Sequence, residues 1–451
     1  MISIRSNQRI CLALLLLTAA SCRKESTPQA PAPPPVVPPP VVVVLKTADS
    51  IQNFRERPSG SAEATRLAQS FPHSDFDPTG FYLPPFVTLQ VEVTPTSGNR
   101  LPTLLIGTYS RYKDKWNPTT VNLTAGLNTI TDATGGILYI RYHNSASEGT
   151  CRIRFISGMK PIPYFQLGKT TSSEWIAMVE QLNVPDVQLV GERCMITFGS
   201  QNARASKTED MEALVRKVDR VIRVEDSISG QFGTDPLDQP NMHRILLTES
   251  DHPDYYMAAT FYRTWYRSTD AVSAILKASN LTWGPWHELG HMHQQGSWTW
   301  SELTEVTVNI YSNAVEKALG VNPTRLTSQG EWTNAANYLA KPLSDKDFNA
   351  SSVSVWVRLC MFQQLKLAFG DGFYHELHRL TRRDANRPNT TDTRMRWLMV
   401  NASRAAGRNL SNFFKAWGLK LSTPVLTDAA YADVAALGLP SPVSDPTLLR
   451  D

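Results

Sequence analysis

Two periods of apolar spacing divide the chain. From about residue 76 to 160 the period is two: Val87, Leu89, Val91 and Val93 alternate with Thr88, Gln90, Glu92 and Thr94, and Ile153 and Phe155 alternate with Arg152 and Arg154. Such alternation puts one row of side chains on each face of a half-buried strand. Residues 137–142 are a further β-rich run after Gly135-Gly136. Short strands separated by Gly, Pro and Asn turns predict a sandwich-like β domain. From about residue 170 the period lengthens. Trp175, Met178, Val179 and Leu182 fall at helical spacing, as do Met211, Leu214, Val215, Val218, Val221 and Ile222. Strand-like runs at 187–190 and 245–247 lie among them. The pattern predicts an α+β, multidomain chain: a β-sandwich-like domain over 46–165, a mainly helical domain over 166–425, and a C-terminal extension over 426–451.

The segment before residue 46 has a different character. Arg5 and Arg9 precede the apolar stretch 10–20, which is too short to span a bilayer and ends in Ala19-Ala20-Ser21-Cys22. Small residues immediately before a cysteine resemble a bacterial lipoprotein cleavage box. The expectation is a signal peptide over 1–21, lipidation of Cys22, and an exported protein anchored through its lipid. Arg23, rather than an aspartate, follows the cysteine, which by analogy with enteric sorting points to the outer membrane or cell surface. Residues 22–45 are rich in Pro and Val, an extended and semi-rigid tether.

Composition narrows the function classes. The 41% hydrophobic content suffices for sizeable cores, and 451 residues exceed one ordinary domain. With 45 basic against 41 acidic residues and no basic run, no nucleic-acid partner is expected. Outside the leader, Cys151, Cys194 and Cys360 form no CxxC pattern, so buried free thiols are expected.

The strong chemical signal is His287-Glu288-Leu289-Gly290-His291. Residues four apart share a helix face, so both imidazoles can reach one zinc ion, and Glu288 is placed to act as general base for a zinc-activated water. A third protein ligand is needed. Gly296-Ser297 breaks the first helix, and Ser301 can cap a second that carries Glu302, Glu305 and Asn309. Glu302 in a first turn is accounted for by the helix dipole alone, so Glu305 is the preferred ligand.

The segment HELGHMHQQGSWTWSELTEVTVNIYS resembles the active-site region of the enhancin-like zinc metallopeptidases, which include bacterial mucin-type O-glycopeptidases. There HExxH is followed by a glutamate in an E-V-x-x-N context, matched by Glu305-Val306-Thr307-Val308-Asn309. The stretches 79–84, 135–140, 163–168 and 413–419 agree in order, so the similarity runs from about 76 to 422. The resemblance implies a gluzincin-type domain with one Zn2+ per chain and an endopeptidase acting on mucin-like O-glycosylated proteins.

Other residues leave alternatives open. Trp298 and Trp300 could form a platform on which sugar C–H groups stack, with Asn309 as a further substrate contact, or the two rings could pack beneath the turn. His293 is expected at the cleft edge. His375-Glu376-Leu377-His378, one residue short of HExxH and flanked by arginines, is expected on a solvated helix face. Asp251, His252, Tyr255 and Tyr256 could each supply an oxyanion donor. Two rival functions are a surface metalloprotease indifferent to glycans and a glycan-binding adhesin with a vestigial metal site.

Overall fold

A computed structural model describes residues 45–144 and 148–451. The leader, the lipid-box Cys22 and the Pro/Val tether therefore lie outside the described residues. The first elements are β1 (Ile51–Arg55), α1 (Gly60–Leu67), β2 (Asp77–Leu83), β3 (Thr88–Ser97), β4 (Thr103–Ile106), β5 (Thr119–Asn122), β6 (Gly126–Thr131), β7 (Gly136–Arg141), β8 (Thr150–Ser157) and β9 (Lys160–Pro161). They form two antiparallel sheets, ordered β1-β8-β3-β6 and β5-β4-β7-β2-β9. Leu89, Val91, Val93, Ile153 and Phe155 of the first pack against Leu83, Leu104, Ile106, Leu138 and Ile140 of the second. The period-two pattern of β3 and β8 thus has its cause: one face meets the sandwich core and the other meets solvent.

In the second sheet the pattern is continuous because both faces are covered. Tyr82, Leu105, Ile137 and Tyr139 point away from the sandwich core and pack on Val184, Val190, Met195 and Leu246 of the following domain. That domain holds a mixed six-stranded sheet, ordered β10-β11-β12-β13-β15-β14, built from β10 (Tyr164–Gln166), β11 (Asp186–Val190), β12 (Cys194–Gly199), β13 (Ile245–Ser250), β14 (Met257–Thr260) and β15 (Arg263–Arg267). Its other face carries α2 (Ser172–Gln181), α3 (Ser200–Ala205), α4 (Met211–Ile228) and α5 (Trp283–His291), with Trp175, Met178, Leu214, Val218 and Leu289 in one core. The predicted periodicity of α2 and α4 is the buried stripe of these helices.

The rest is helical: α6 (Thr304–Thr307), α7 (Asn309–Ala318), α8 (Arg325–Ser328), α9 (Glu331–Leu339), α10 (Val355–Phe369), α11 (Asp371–Arg383), α12 (Thr391–Ala406), α13 (Ser411–Ala416) and α14 (Pro424–Ala436). Ala430 and Val434 of α14 are buried in the same core as α10 and α12, so this part of the expected C-terminal extension is packed structure. Cys151, Cys194 and Cys360 are free and buried. No helix of the described residues is long and apolar enough to cross a membrane.

The segment between α1 and β2 is an arm laid on the second domain. Gln69 bridges to Gln295, the Ser70 amide donates to the Gln294 carbonyl at 3.0 Å, His73 Nε2 donates to the Met292 carbonyl at 3.2 Å, and the Ser74 amide donates to Arg244.

Candidate metal centre

Helix α5 tolerates Pro285 because it lies in the first turn, where an amide has no helical acceptor. Trp286 and Leu289 bury one side of the helix, which leaves His287 and His291 on the opposite face. Gly290 is a packing requirement. A Cβ there would stand 2.8 Å from the Val308 carbonyl oxygen and 3.3 Å from Tyr311 Cβ, so only glycine lets α5 cross α6 and α7 this closely. That crossing brings Glu305 to the histidines.

The donor atoms of His287, His291 and Glu305 lie within 4.8 Å of one another. Glu305 Oε2 is 2.9 Å from His287 Nε2 and 3.6 Å from His291 Nε2. The other ring nitrogens are committed. His287 Nδ1 donates to Asn309 Oδ1 at 2.8 Å, and the amide is fixed because Asn309 Nδ2 donates to the Glu305 carbonyl. His291 Nδ1 donates to Gln294 Oε1 at 3.1 Å, and Gln294 Nε2 donates to the Thr304 carbonyl and Thr307 Oγ1, both at 2.7 Å. Both Nε2 atoms therefore face a carboxylate, an arrangement that is repulsive for neutral imidazoles unless a proton or a metal cation stands between them. Tetrahedral zinc would want these donors roughly 3.4 Å apart, and the observed separations bracket that value.

The electrostatics agree. Burial opposes a charge on His287, but the Glu305 carboxylate outweighs it and raises the pKa. The two imidazoles hold Glu305 well below the usual carboxylate range. Burial pushes Glu288 up, and its carboxylate makes no hydrogen bond among the described residues. It is thus a carboxylate with an unused acceptor, facing a cavity of about 490 Å³. The same cavity is lined by Met257, Ala258 and Ala259 of β14, the edge strand of the sheet, by Ser70 and Phe71 of the arm, and by Arg394 of α12.

Several expectations need correction. Trp298 and Trp300 are fully buried, and their indoles donate to Thr381 Oγ1 at 3.2 Å and Asn349 Oδ1 at 2.9 Å. Neither ring has a face free for a sugar, because the turn between the ligand helices packs down onto the helical core. Asn309 is buried, bonded to His287 and not among the residues that line the cleft, so its place is behind that imidazole. Ser301 caps nothing: its hydroxyl bonds the Glu302 carboxylate at 2.6 Å, and the second helix opens through a 3-10 turn, Ser301–Leu303. Glu302 does not join the ligand group.

His293 is not at the cleft edge. It is wholly buried beneath α5, with Nε2 3.1 Å from Asp226 Oδ1 and Nδ1 3.0 Å from Glu225 Oε2. Burial would lower its pKa, but the two carboxylates hold it at about 10. His378 is also buried, bonded to Tyr311 Oη at 2.9 Å and the Tyr374 carbonyl at 2.7 Å, and burial lowers its pKa to about 3. Of the arginines after it, Arg382 is buried on Asp238, whereas Arg383 reaches the same carboxylate from the solvent side. Asp251 accepts from the backbone amides of Tyr112 and Lys113, His252 packs edge-on or tilted against Tyr112, Trp116, Tyr255 and Trp265, and Tyr256 lies under Arg267. Of the four oxyanion candidates, Tyr255 alone lines the cleft.

Gln294 and Arg394 are not singled out in the sequence reading. A signal for Gln294 existed: a ligand histidine needs an acceptor for its second nitrogen, and Gln294 is three residues from His291. By the same logic, Asn309→Ala should weaken zinc retention about 10- to 100-fold, measured by competition with a chromogenic chelator. An unchanged affinity would refute the orienting role.

The family model described as "Peptidase M60, enhancin and enhancin-like" matches residues 158–418, and that for the N-terminal domain of M60-like peptidases matches residues 58–155. TRPM8 channel-associated factor 3 of Rattus norvegicus is 26% identical over 356 residues, 75% of this chain and 38% of that protein. The chain thus spans less than two-fifths of the length of that relative. A crystal structure of a functionally unknown conserved protein from Bacillus anthracis superposes with TM-score 0.78 at 33% identity, covering 89% of this chain and 81% of the other. The M60 catalytic domain of Clostridium perfringens ZmpC, solved in complex with the sialyl T antigen, superposes with TM-score 0.76 at 19% identity, covering 89% and 82%. Because the matched segment runs through the sheet, both ligand helices and most of the helical core, the chain belongs to the M60 family of enhancin and enhancin-like peptidases.

Proposed function

We propose that this protein is an exported zinc endopeptidase that hydrolyses peptide bonds of mucin-like O-glycosylated proteins. The observation that carries the reading is the convergence of His287, His291 and Glu305 beside a buried Glu288 that has no hydrogen-bond partner among the described residues. A zinc ion held by the three would supply Lewis-acid polarisation of the scissile carbonyl and of the attacking water. The chain's own residues do the rest. The open edge of β14 offers unpaired backbone groups to an extended peptide, which would lie along the cleft as an added strand. Glu288 takes the proton of the water as it attacks and delivers one to the leaving amine. Asn309 and Gln294 keep the imidazoles in the tautomer that presents Nε2. Tyr255, at the cleft wall, is placed to donate to the developing oxyanion.

The O-glycan requirement draws its support from the family and from the glycan complex of the ZmpC domain. Export and a lipid anchor at Cys22 draw theirs from the leader sequence. Purified protein should cut a mucin-domain glycoprotein next to its glycosylated Ser or Thr and lose at least tenfold in rate after enzymatic removal of the O-glycans. Cut sites mapped by mass spectrometry decide it. Equal cleavage of the stripped protein would leave a surface metalloprotease indifferent to glycans, and binding without cleavage would leave the adhesin.

A further inference from the structure

Arg394 stands in the first turn of α12 and lines the catalytic cleft. It also lines a second cavity of about 360 Å³, which shares Ser70, Gly296 and Arg394 with the first and has Arg387 on its wall. The two cavities therefore adjoin at these residues.

Several other buried arginines have at least one hydrogen-bond acceptor for the guanidinium, and half-buried Arg325 has the rings of Trp283 and Trp356. Arg382 bonds Asp238, Arg193 bonds Asp226, Arg263 bonds Ser110, and Arg358 bonds the carbonyls of Phe348 and Ala350. Arg394 has neither kind of partner among the described residues. Its Nε is buried without an acceptor, and among the described residues its guanidinium has no hydrogen bond and no ion pair. Arg387 reaches the Thr65 carbonyl at 2.9 Å, but its Nε is also buried without an acceptor. The carboxylates on neighbouring elements are engaged elsewhere: Asp384 with the Trp397 indole, Asp392 with Ser422, and Glu305 with the two imidazoles. A divalent cation at the centre would balance Glu288 and Glu305. Arg394 would then have no counter-charge among the residues that line either cavity, whereas Arg387 has the Asp384 carboxylate nearby.

A partly desolvated cation without a partner is costly, and a binding cleft can retain one when its ligand brings the anion. We propose that Arg394, with Arg387 beside it, forms a subsite for a carboxylate carried by the substrate near the scissile bond. This rests on the peptidase reading above. The carboxylate has two possible sources in a glycoprotein, an acidic side chain of the peptide or an acidic sugar such as sialic acid, and guanidinium recognises either through charge-assisted hydrogen bonds.

The test uses four synthetic glycopeptides of one sequence, with Asp or Asn next to the glycosylated residue and with the O-glycan sialylated or not. Binding is read by fluorescence anisotropy on the Glu288→Ala protein, and cleavage by wild type is followed in parallel. At least one acidic probe should bind about 10- to 100-fold more tightly than the doubly neutral one, and whichever arm carries the effect identifies the source. Adding Arg394→Ala should bring that ratio close to one, and Arg394→Lys should keep part of it. Equal or undetectable binding of all four probes overturns the proposal. So does Arg394→Ala weakening acidic and neutral probes alike, the mark of a structural role. An Arg394-dependent preference in a protein whose wild type cuts no probe would sink the peptidase reading and leave the subsite standing.

Discussion

Glu288→Ala protein will hold its metal and its fold yet cut peptide bonds roughly 10²- to 10⁴-fold more slowly than wild type, the usual contribution of a positioned acid–base group. The carboxylate is not in the ligand group, so its removal takes nothing from the metal. It makes no hydrogen bond among the described residues, so its removal strands no buried partner. Burial raises its pKa, which suits a group that must accept a proton and then release it. The variant should therefore still capture glycosylated substrate. Cleavage rates at equal zinc content check this, and undiminished turnover would eliminate Glu288 as the base.

The second large effect falls on the ligands. His291→Ala and Glu305→Ala should lose zinc, whereas Glu302→Ala should keep it, because the Glu302 carboxylate is turned to Ser301. A ligand present at a thousand times its Kd stabilises the native state by about 4 kcal/mol. EDTA should accordingly lower the melting temperature of wild type and of Glu302→Ala but leave His291→Ala and Glu305→Ala unmoved. Metal analysis gives the parallel readout. Full zinc occupancy in His291→Ala would refute the assignment, and a loss confined to Glu302→Ala would move the third ligand to the earlier carboxylate.

What the sequence revealed followed from how local each feature is. His287 and His291 could be paired by eye because a helix repeats every 3.6 residues. Glu305 was reachable because a short return brings the next helix back along the first. The strands β3 and β8 were legible through alternation, since one of their faces is wet. The six-stranded sheet was harder: its strands are covered on both sides, so they present short apolar runs without a period, and only 187–190 and 245–247 stood out. The two tryptophans were ambiguous for another reason. Their indole partners, Thr381 and Asn349, lie 83 and 49 residues away, and no local pattern announces such contacts. Arg394 was invisible because its interest lies in the partners that it lacks.

The arm between α1 and β2 bears on how such chains can be recombined. It reads as part of the N-terminal segment, since the family model for that segment covers residues 58–155. Yet Ser70 hydrogen-bonds through both its amide and its hydroxyl to the Gln294 carbonyl, and the side chain of Gln294 orients His291. A chimera joined at residues 155–158 would pair a foreign arm with a native metal centre, and so inherit a mismatched wall on its own cleft. A crossover between residues 76 and 77, with a second after β9, exchanges β2 to β9 of the sandwich and leaves β1, the arm and the ligand helix from one parent. In this protein the heritable unit of the active site begins some two hundred residues before its first histidine.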